Sequence, residues 1–300
     1  MDLVRKNVLN CDQGAVRAVR YNVDGSYCLT CGSDKKIKLW NPLTGLLLKT
    51  YGGHAGEVLD AAGSCDSSGM ISVSTDKSVI YWDVSQGLPI RRLRGHAGAI
   101  KCVKFNEDSS IAVSGSTDNT VMCWDVRTRN TEPIQTMREA KDCITSLVVT
   151  EHKIISGSLD GSIRQYDLRA GELTCDTVGV PITYIVQTKD GQCILAACMD
   201  SAIRLIDTGS GELLSEYKGH KTEDYHIECG VIQNDTNIIS GSSDSCVLIW
   251  DLLEGTETRK LQMDTKVIHS LAPQPTGTDI LLAMKRKIEV WGHPSDEDDN

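Results

Sequence analysis

The feature that most restricts what this chain can become is a repeat. Trp40, Trp82, Trp124, Tyr166, Ile206, Trp250 and Trp291 follow one another at spacings of 42, 42, 42, 40, 44 and 41 residues. Periods of this length belong to arrays of supersecondary units, none of which can bury its own faces alone. Six residues ahead of six of these markers stands an aspartate: Asp34, Asp76, Asp118, Asp160, Asp200 and Asp244. The stretch Gly115-Ser116-Thr117-Asp118-Asn119-Thr120-Val121-Met122-Cys123-Trp124-Asp125 shows the local logic. A polar turn joins two strands, and the second alternates in character until it ends at Trp-Asp. Residues 15–21 and 46–51 read as further strands, which gives four short strands per unit.

A four-stranded unit has two faces to cover and free edges to protect, so the units must stack around an axis and the ring must close. After Trp291 only nine residues remain, and they include the run Asp296-Glu297-Asp298-Asp299. The seventh unit therefore lacks its outer strand. Leu3-Val4-Arg5-Lys6-Asn7-Val8-Leu9 has strand length and apolar ends, and is expected to complete that unit and fasten first to last. The expected fold is all-β: one seven-bladed β-propeller over residues 1–292, with four antiparallel strands per blade. An acidic tail, residues 293–300, follows it, and its composition predicts disorder.

With 40% hydrophobic and 24% charged residues the chain has enough apolar side chains for a packed core. It has no apolar run of membrane-spanning length, and its first residues lack the apolar stretch of a secretory signal. The expected location is cytoplasmic and nuclear. The twelve cysteines, scattered along the chain, read as reduced strand residues. A formal charge of −10 opposes nucleic-acid phosphates, so neither direct nucleic-acid binding nor a membrane partner is expected.

Gly53-His54, Gly95-His96 and Gly219-His220, the aspartate turns, and Trp82-Asp83, Trp124-Asp125 and Trp250-Asp251 at this spacing resemble the WD40 family. Within it, residues 13–20, 57–64 and 211–220 resemble the mitogen-activated protein kinase organizers, WD-repeat scaffolds also associated with spliceosomes. That closer likeness runs from about residue 11 to residue 260.

Three blades each hold a Ser, a His and an Asp: His54/Ser72/Asp76/Trp82, His96/Ser114/Asp118/Trp124 and His220/Ser240/Asp244/Trp250. Such sets invite a hydrolase reading, but a catalytic triad is needed once and these recur at one phase. The family resemblance implies that each serine bridges its histidine to the indole N–H. The chain is therefore not expected to be an enzyme. Cys28-Leu29-Thr30-Cys31 has metal or redox spacing but no second pair to complete a site. No phosphate-cradling glycine motif or nucleophile elbow occurs, and no cofactor or metal is expected. The sequon Asn234-Asp235-Thr236 needs a secretory route that is not expected here. Lys285-Arg286-Lys287-Ile288-Glu289-Val290 and, more weakly, Arg91-Arg92-Leu93-Arg94 resemble kinase-docking peptides, but both fall on predicted strands.

The resemblance places partner-facing positions on the top face of the disc. They are Arg17, Leu59, Lys101, Thr145, Thr183, Glu228 and His269, beside the first apolar residue of each inner strand, together with Leu159 and Met199 before the turn aspartates. The function it implies is a monomeric, non-catalytic scaffold that binds proteins of a mitogen-activated protein kinase cascade. The alternative is a protein-binding subunit of a spliceosomal or other mRNA-processing complex. A ubiquitin-ligase receptor is disfavoured, since 300 residues leave no room for the usual adaptor-binding domain beside the propeller.

Overall fold

The turn aspartates set the architecture. Asp76, Asp118 and Asp160 each accept the backbone N–H two residues on at 3.0 Å, and Asp34 does so at 3.1 Å. The residue after each of the six turn aspartates takes a positive φ: Lys35, Lys77, Asn119, Gly161, Ser201 and Ser245. A carboxylate that mimics a backbone turn, followed by one left-handed residue, reverses the chain in a few residues and pairs the flanking strands antiparallel.

The computed structural model describes residues 3–222, 226–232, 235–264, 267–268 and 270–294. Within them the chain forms seven four-stranded antiparallel sheets, the blades of a closed propeller. Blade one runs from the axis outward as strands a to d: Val16–Tyr21, Cys28–Gly32, Lys36–Trp40 and Leu47–Gly52. Blades two to six repeat this order. In blade seven, Ser270–Pro273, Ile280–Ala283 and Lys287–Gly292 are strands a to c, and the N-terminal strand Val4–Asn10 is strand d. Leu9 pairs with Ile288 and Val8 with Glu289, so the first strand of the sequence closes the last blade. His269 and the acidic run from Ser295 to Asn300, for which disorder was expected, lie outside the described residues.

The core lies between blades. Ile71, Val73 and Val79 of blade two pack with Ile100, Val103 and Trp124 of blade three, and every other seam is built alike. At the closing seam Leu9 and Cys11 join Val16 and Val19 of blade one and Leu281, Ile288 and Val290 of blade seven in one cluster. This packing also settles the two docking-like motifs. Ile288 and Val290 are buried in an interior strand, and Leu93 is buried on strand d of blade two, so neither segment is free to dock. Cys28 and Cys31 are likewise buried free thiols, and burial pushes both thiols up, away from the thiolate that metal or redox chemistry needs.

One irregularity recurs. In blades one to five, strand a carries a β-bulge directly after its first residue: Val16 pairs with Gly32 and Ala18 with Cys31, skipping Arg17. The skipped residues of the next four blades are Leu59, Lys101, Thr145 and Thr183. A bulge residue drops out of the ladder and can be re-aimed; here the re-aimed residues all border the axial cavity.

Leu9 is the one buried side chain of the closing strand, so Leu9→Ala should cost about 2–4 kcal/mol of stability in urea unfolding. Val4→Ala on the same strand, at a 37% exposed position, should change little. Equal effects from the two would mean that the seam does not depend on that contact.

Candidate functional site

In blade two the indole N–H of Trp82 donates to Ser72 Oγ at 2.8 Å, and the Ser72 hydroxyl lies 2.8 Å from His54 Nε2. His54 Nδ1 lies 3.1 Å from Asp76 Oδ2, which also accepts the Ala55 N–H at 2.7 Å. Blade three repeats the chain through Trp124, Ser114, His96 and Asp118 at 2.8, 2.8 and 3.0 Å. A neutral imidazole carrying its proton on Nδ1 satisfies every link: the serine accepts from the indole and donates to Nε2, and Nδ1–H donates to the carboxylate. Burial holds His54 and His96 below the usual imidazole value, outweighing the pull of their aspartates. Burial alone would raise Asp76 and Asp118, but hydrogen bonds from Ser78, Thr120 and neighbouring N–H groups, with the nearby imidazoles, bring both to about 2. Ser72 and Ser114 have no exposed surface, so no substrate can reach them. These sets are struts, not triads.

Blade six does not form the expected chain. Trp250 donates its indole N–H to the Lys218 carbonyl at 3.1 Å, and the Ser240 hydroxyl donates to the Gly241 carbonyl at 3.0 Å. Among the described residues neither ring nitrogen of His220 has a hydrogen-bond partner although the residue is buried, and Asp244 instead accepts from Ser242 at 2.6 Å. The approach to His220 explains the difference. Gly219 has a φ of 123°, whereas Gly53 and Gly95 are not left-handed. The segment from His220 to Ile227 is also longer than those from His54 to Val58 and from His96 to Ile100. The imidazole makes an edge contact with the Trp250 ring, 5.9 Å between centroids.

Other blades solve the same problem with residues the repeat pattern did not mark. Gln13 stands in for histidine in blade one: its Oε1 accepts the Thr30 hydroxyl, and Thr30 Oγ1 accepts the Trp40 indole N–H at 3.1 Å. The signal was present in Thr30, which keeps the ten-residue offset from its tryptophan seen for Ser72 and Ser114. Blades four and five pair the turn aspartate with an arginine on the following strand, Arg164–Asp160 at 2.8 Å and Arg204–Asp200 at 2.5 Å.

The axial channel opens, at the end where the inner strands begin, into a cavity of about 770 Å³. Arg17, Leu59, Lys101, Thr145, Thr183 and Glu228 all border it, with Ala15, His226, Val267 and Lys285. Their roles diverge from the uniform partner-facing one. Thr183 is buried, and its hydroxyl donates to the Ala197 and Ile227 carbonyls at 3.1 and 3.2 Å, tying blade five to blade six. The Thr145 hydroxyl donates to Gly157 O at 3.1 Å and Ile182 O at 2.9 Å, tying blade four to blade five. Glu228 accepts two hydrogen bonds from Arg20, at 3.0 and 2.7 Å, one from the Ser270 hydroxyl at 2.8 Å and one from the Leu271 N–H at 3.0 Å. Arg17 pairs with Glu57 at 2.8 Å. Leu159 and Met199 are half-buried and outside the cavity lining. Leu59, Lys101 and His226 remain available, and the structure adds Lys285, which the alignment of turns had not placed on this face.

Below this mouth the channel narrows at a charged waist. Arg20 Nε lies 2.9 Å from Asp60 Oδ1, opposite its bond to Glu228, and Asp60 also accepts the Val103 N–H at 3.1 Å. Burial opposes charge on Arg20, but Asp60 and Glu228 hold its proton more tightly than usual. Burial and then the Arg20 charge hold Lys104 below the usual ammonium value. Arg20, Lys104 and Tyr184 border both the upper cavity and a second one of about 320 Å³ at the other end, so the waist separates the two. Among the described residues no cluster of His, Cys, Asp and Glu could hold a metal ion.

Residues 4–41, 45–83, 87–125, 131–167 and 211–251 match the repeat described as WD domain, G-beta repeat. The chain belongs to that family. It is 61% identical over 292 residues to the WD repeat domain-containing protein 83 of Rattus norvegicus, spanning 97% of this chain and 93% of that one. It is 58% identical over 287 residues to the Homo sapiens protein of that name, spanning 96% and 91%. The Dictyostelium discoideum homolog is 34% identical over 313 residues, spanning 95% and 96%. This WD-repeat chain is a protein-interaction scaffold: the Ser–His–Asp groups of blades two and three are buried in struts, and side chains from several blades border one mouth.

Removing a strut and removing the stranded histidine should differ. His96→Leu should cost about 2–3 kcal/mol because it leaves Ser114 and Asp118 short of partners, while His220→Leu should be neutral or stabilising in urea unfolding. Burial lowers His220 to about 4, against 6.5 for a free imidazole. The unfolded chain therefore takes up that proton first, and stability is lost as pH falls from 6.5 through about 4. His220→Leu should shrink that acid loss; an unchanged pH profile would remove His220 from the account.

Proposed function

We propose that this WD-repeat protein assembles components of a mitogen-activated protein kinase cascade, holding them at the upper mouth of its channel. The observation that carries the proposal is the convergence of Leu59, Lys101, His226 and Lys285, from four different blades, on one rigid cavity. An apolar anchor point with charged surroundings suits protein recognition. Two cascade members held on one disc meet at an effective concentration of roughly millimolar, which speeds their reaction without any catalytic group on the scaffold. The choice of cascade rests on the sequence resemblance described above, which also suggests residence in both cytoplasm and nucleus.

A second reading, a protein-binding subunit of a spliceosomal or other mRNA-processing complex, is favoured by the same resemblance and by the charge of −10. An acidic disc suits attachment to such a complex through its proteins, with RNA held by others.

Quantitative affinity purification from cytosolic and nuclear extracts should recover kinase-cascade members with the wild-type chain and lose them with a folded Arg17→Glu/Lys101→Glu variant. Unchanged recovery would move the binding site to the rim or the opposite face. Recovery of spliceosomal proteins alone would replace the first reading with the second.

A further inference from the structure

We infer that the upper mouth recognises an acidic segment of its protein partner, an extended peptide that places an anionic side chain against Lys101, Lys104 and Lys285. This rests on the reading of the mouth as the partner site and adds to it the chemistry of what enters.

The argument is one of charge left over. Arg17 is neutralised by Glu57, and Arg20 is shared by Asp60 and Glu228. Lys101, Lys104 and Lys285 border the same cavity, and none has a carboxylate within ion-pair distance among the described residues. Even without Lys104, whose charge burial and Arg20 disfavour, Lys101 and Lys285 outnumber the one surplus carboxylate and leave the mouth positive, in a chain whose formal charge is −10. His226 registers that field: after burial, the charge of Lys101 is what holds its imidazole below the usual value. A cleft of one sign between low-dielectric walls focuses its potential, so an anionic segment repelled by the rest of the surface is drawn to this opening. The cavity, at about 770 Å³, is large enough for several side chains, and Leu59, Leu147 and Val267 add apolar wall. Those walls favour an acidic residue flanked by apolar ones over a free inorganic anion. The bulge that skips Lys101 keeps its side chain out of the sheet and at the opening.

The probes are two fluorescein-labelled octapeptides, one alternating Glu and Leu, the other carrying phosphoserine in place of each Glu. Their anisotropy is read against the full-length chain at low and high salt, with a Gln-Leu peptide as control. Binding by either anionic peptide should weaken about tenfold in Lys101→Gln/Lys285→Gln and be unaffected in Arg127→Gln/Arg129→Gln, which removes equal charge from an exposed rim loop. The tighter of the two says whether carboxylate or phosphate is the anion. Equal binding of the Gln-Leu peptide, equal loss in both variants, or preference for a single-stranded oligonucleotide at these lysines would overturn the inference. Leu59→Arg separates this from the platform reading. If it abolishes partner recovery while Lys101→Gln/Lys285→Gln does not, the mouth is the site and the acidic chemistry is wrong. If Leu59→Arg leaves recovery intact, the mouth is not the site and both fall.

Discussion

Everything in this molecule depends on the pairing of Val4–Asn10 with Lys287–Gly292. Each blade covers its neighbour, and no blade covers itself, so an open ring would leave one blade face on each side of the gap exposed to water. The chain meets this constraint by lending its first strand to its last blade. The ends of the sequence are thereby joined by backbone hydrogen bonds along the whole strand and by Leu9 wedged between blades seven and one. A charged clasp reinforces the joint near the axis: Arg20 of blade one reaches Glu228 of blade six, which in turn holds Ser270 and Leu271 of blade seven.

Within that ring, the same local requirement has been met several ways. A buried indole N–H needs an acceptor and a turn needs an anchor. Blades two and three use serine, histidine and aspartate; blade one uses threonine and glutamine; blades four and five spend their turn aspartate on an arginine. Blade six keeps the histidine but not its bonds, and its ring follows a Gly219 whose φ is 123°. The repeat fixes a geometry, and several chemistries fit it.

That distinction governs how much could be read from the sequence. Blade count, strand number and the borrowed closing strand were legible, because the spacing of Trp40, Trp82 and Trp124 and the strand-like run from Leu3 to Leu9 ahead of the first unit leave few alternatives. The struts of blades two and three were legible because their four residues keep a constant phase. The failure in blade six left one mark in the sequence, the longer segment from His220 to Ile227, but the φ of Gly219 that accompanies it is not readable from residue identity. At the candidate site, position along strand a marked which residues border the channel, but not which were already engaged. Thr183 and Glu228 carry the right phase and are consumed by cross-blade bonds that link residues 44 and 42 positions apart. Lys285 was passed over because it occupies a turn that lacks its aspartate.

The waist of Arg20, Asp60 and Glu228 makes the upper cavity a cup with a floor. A guest entering from above meets this ion-paired layer before it can reach the second cavity. The floor is also a joint between blades one, two, six and seven. A guest that reaches deep enough to compete for Arg20 would be pulling on the same bonds that keep the ring shut, which sets a depth beyond which tighter grip and a sound ring oppose each other.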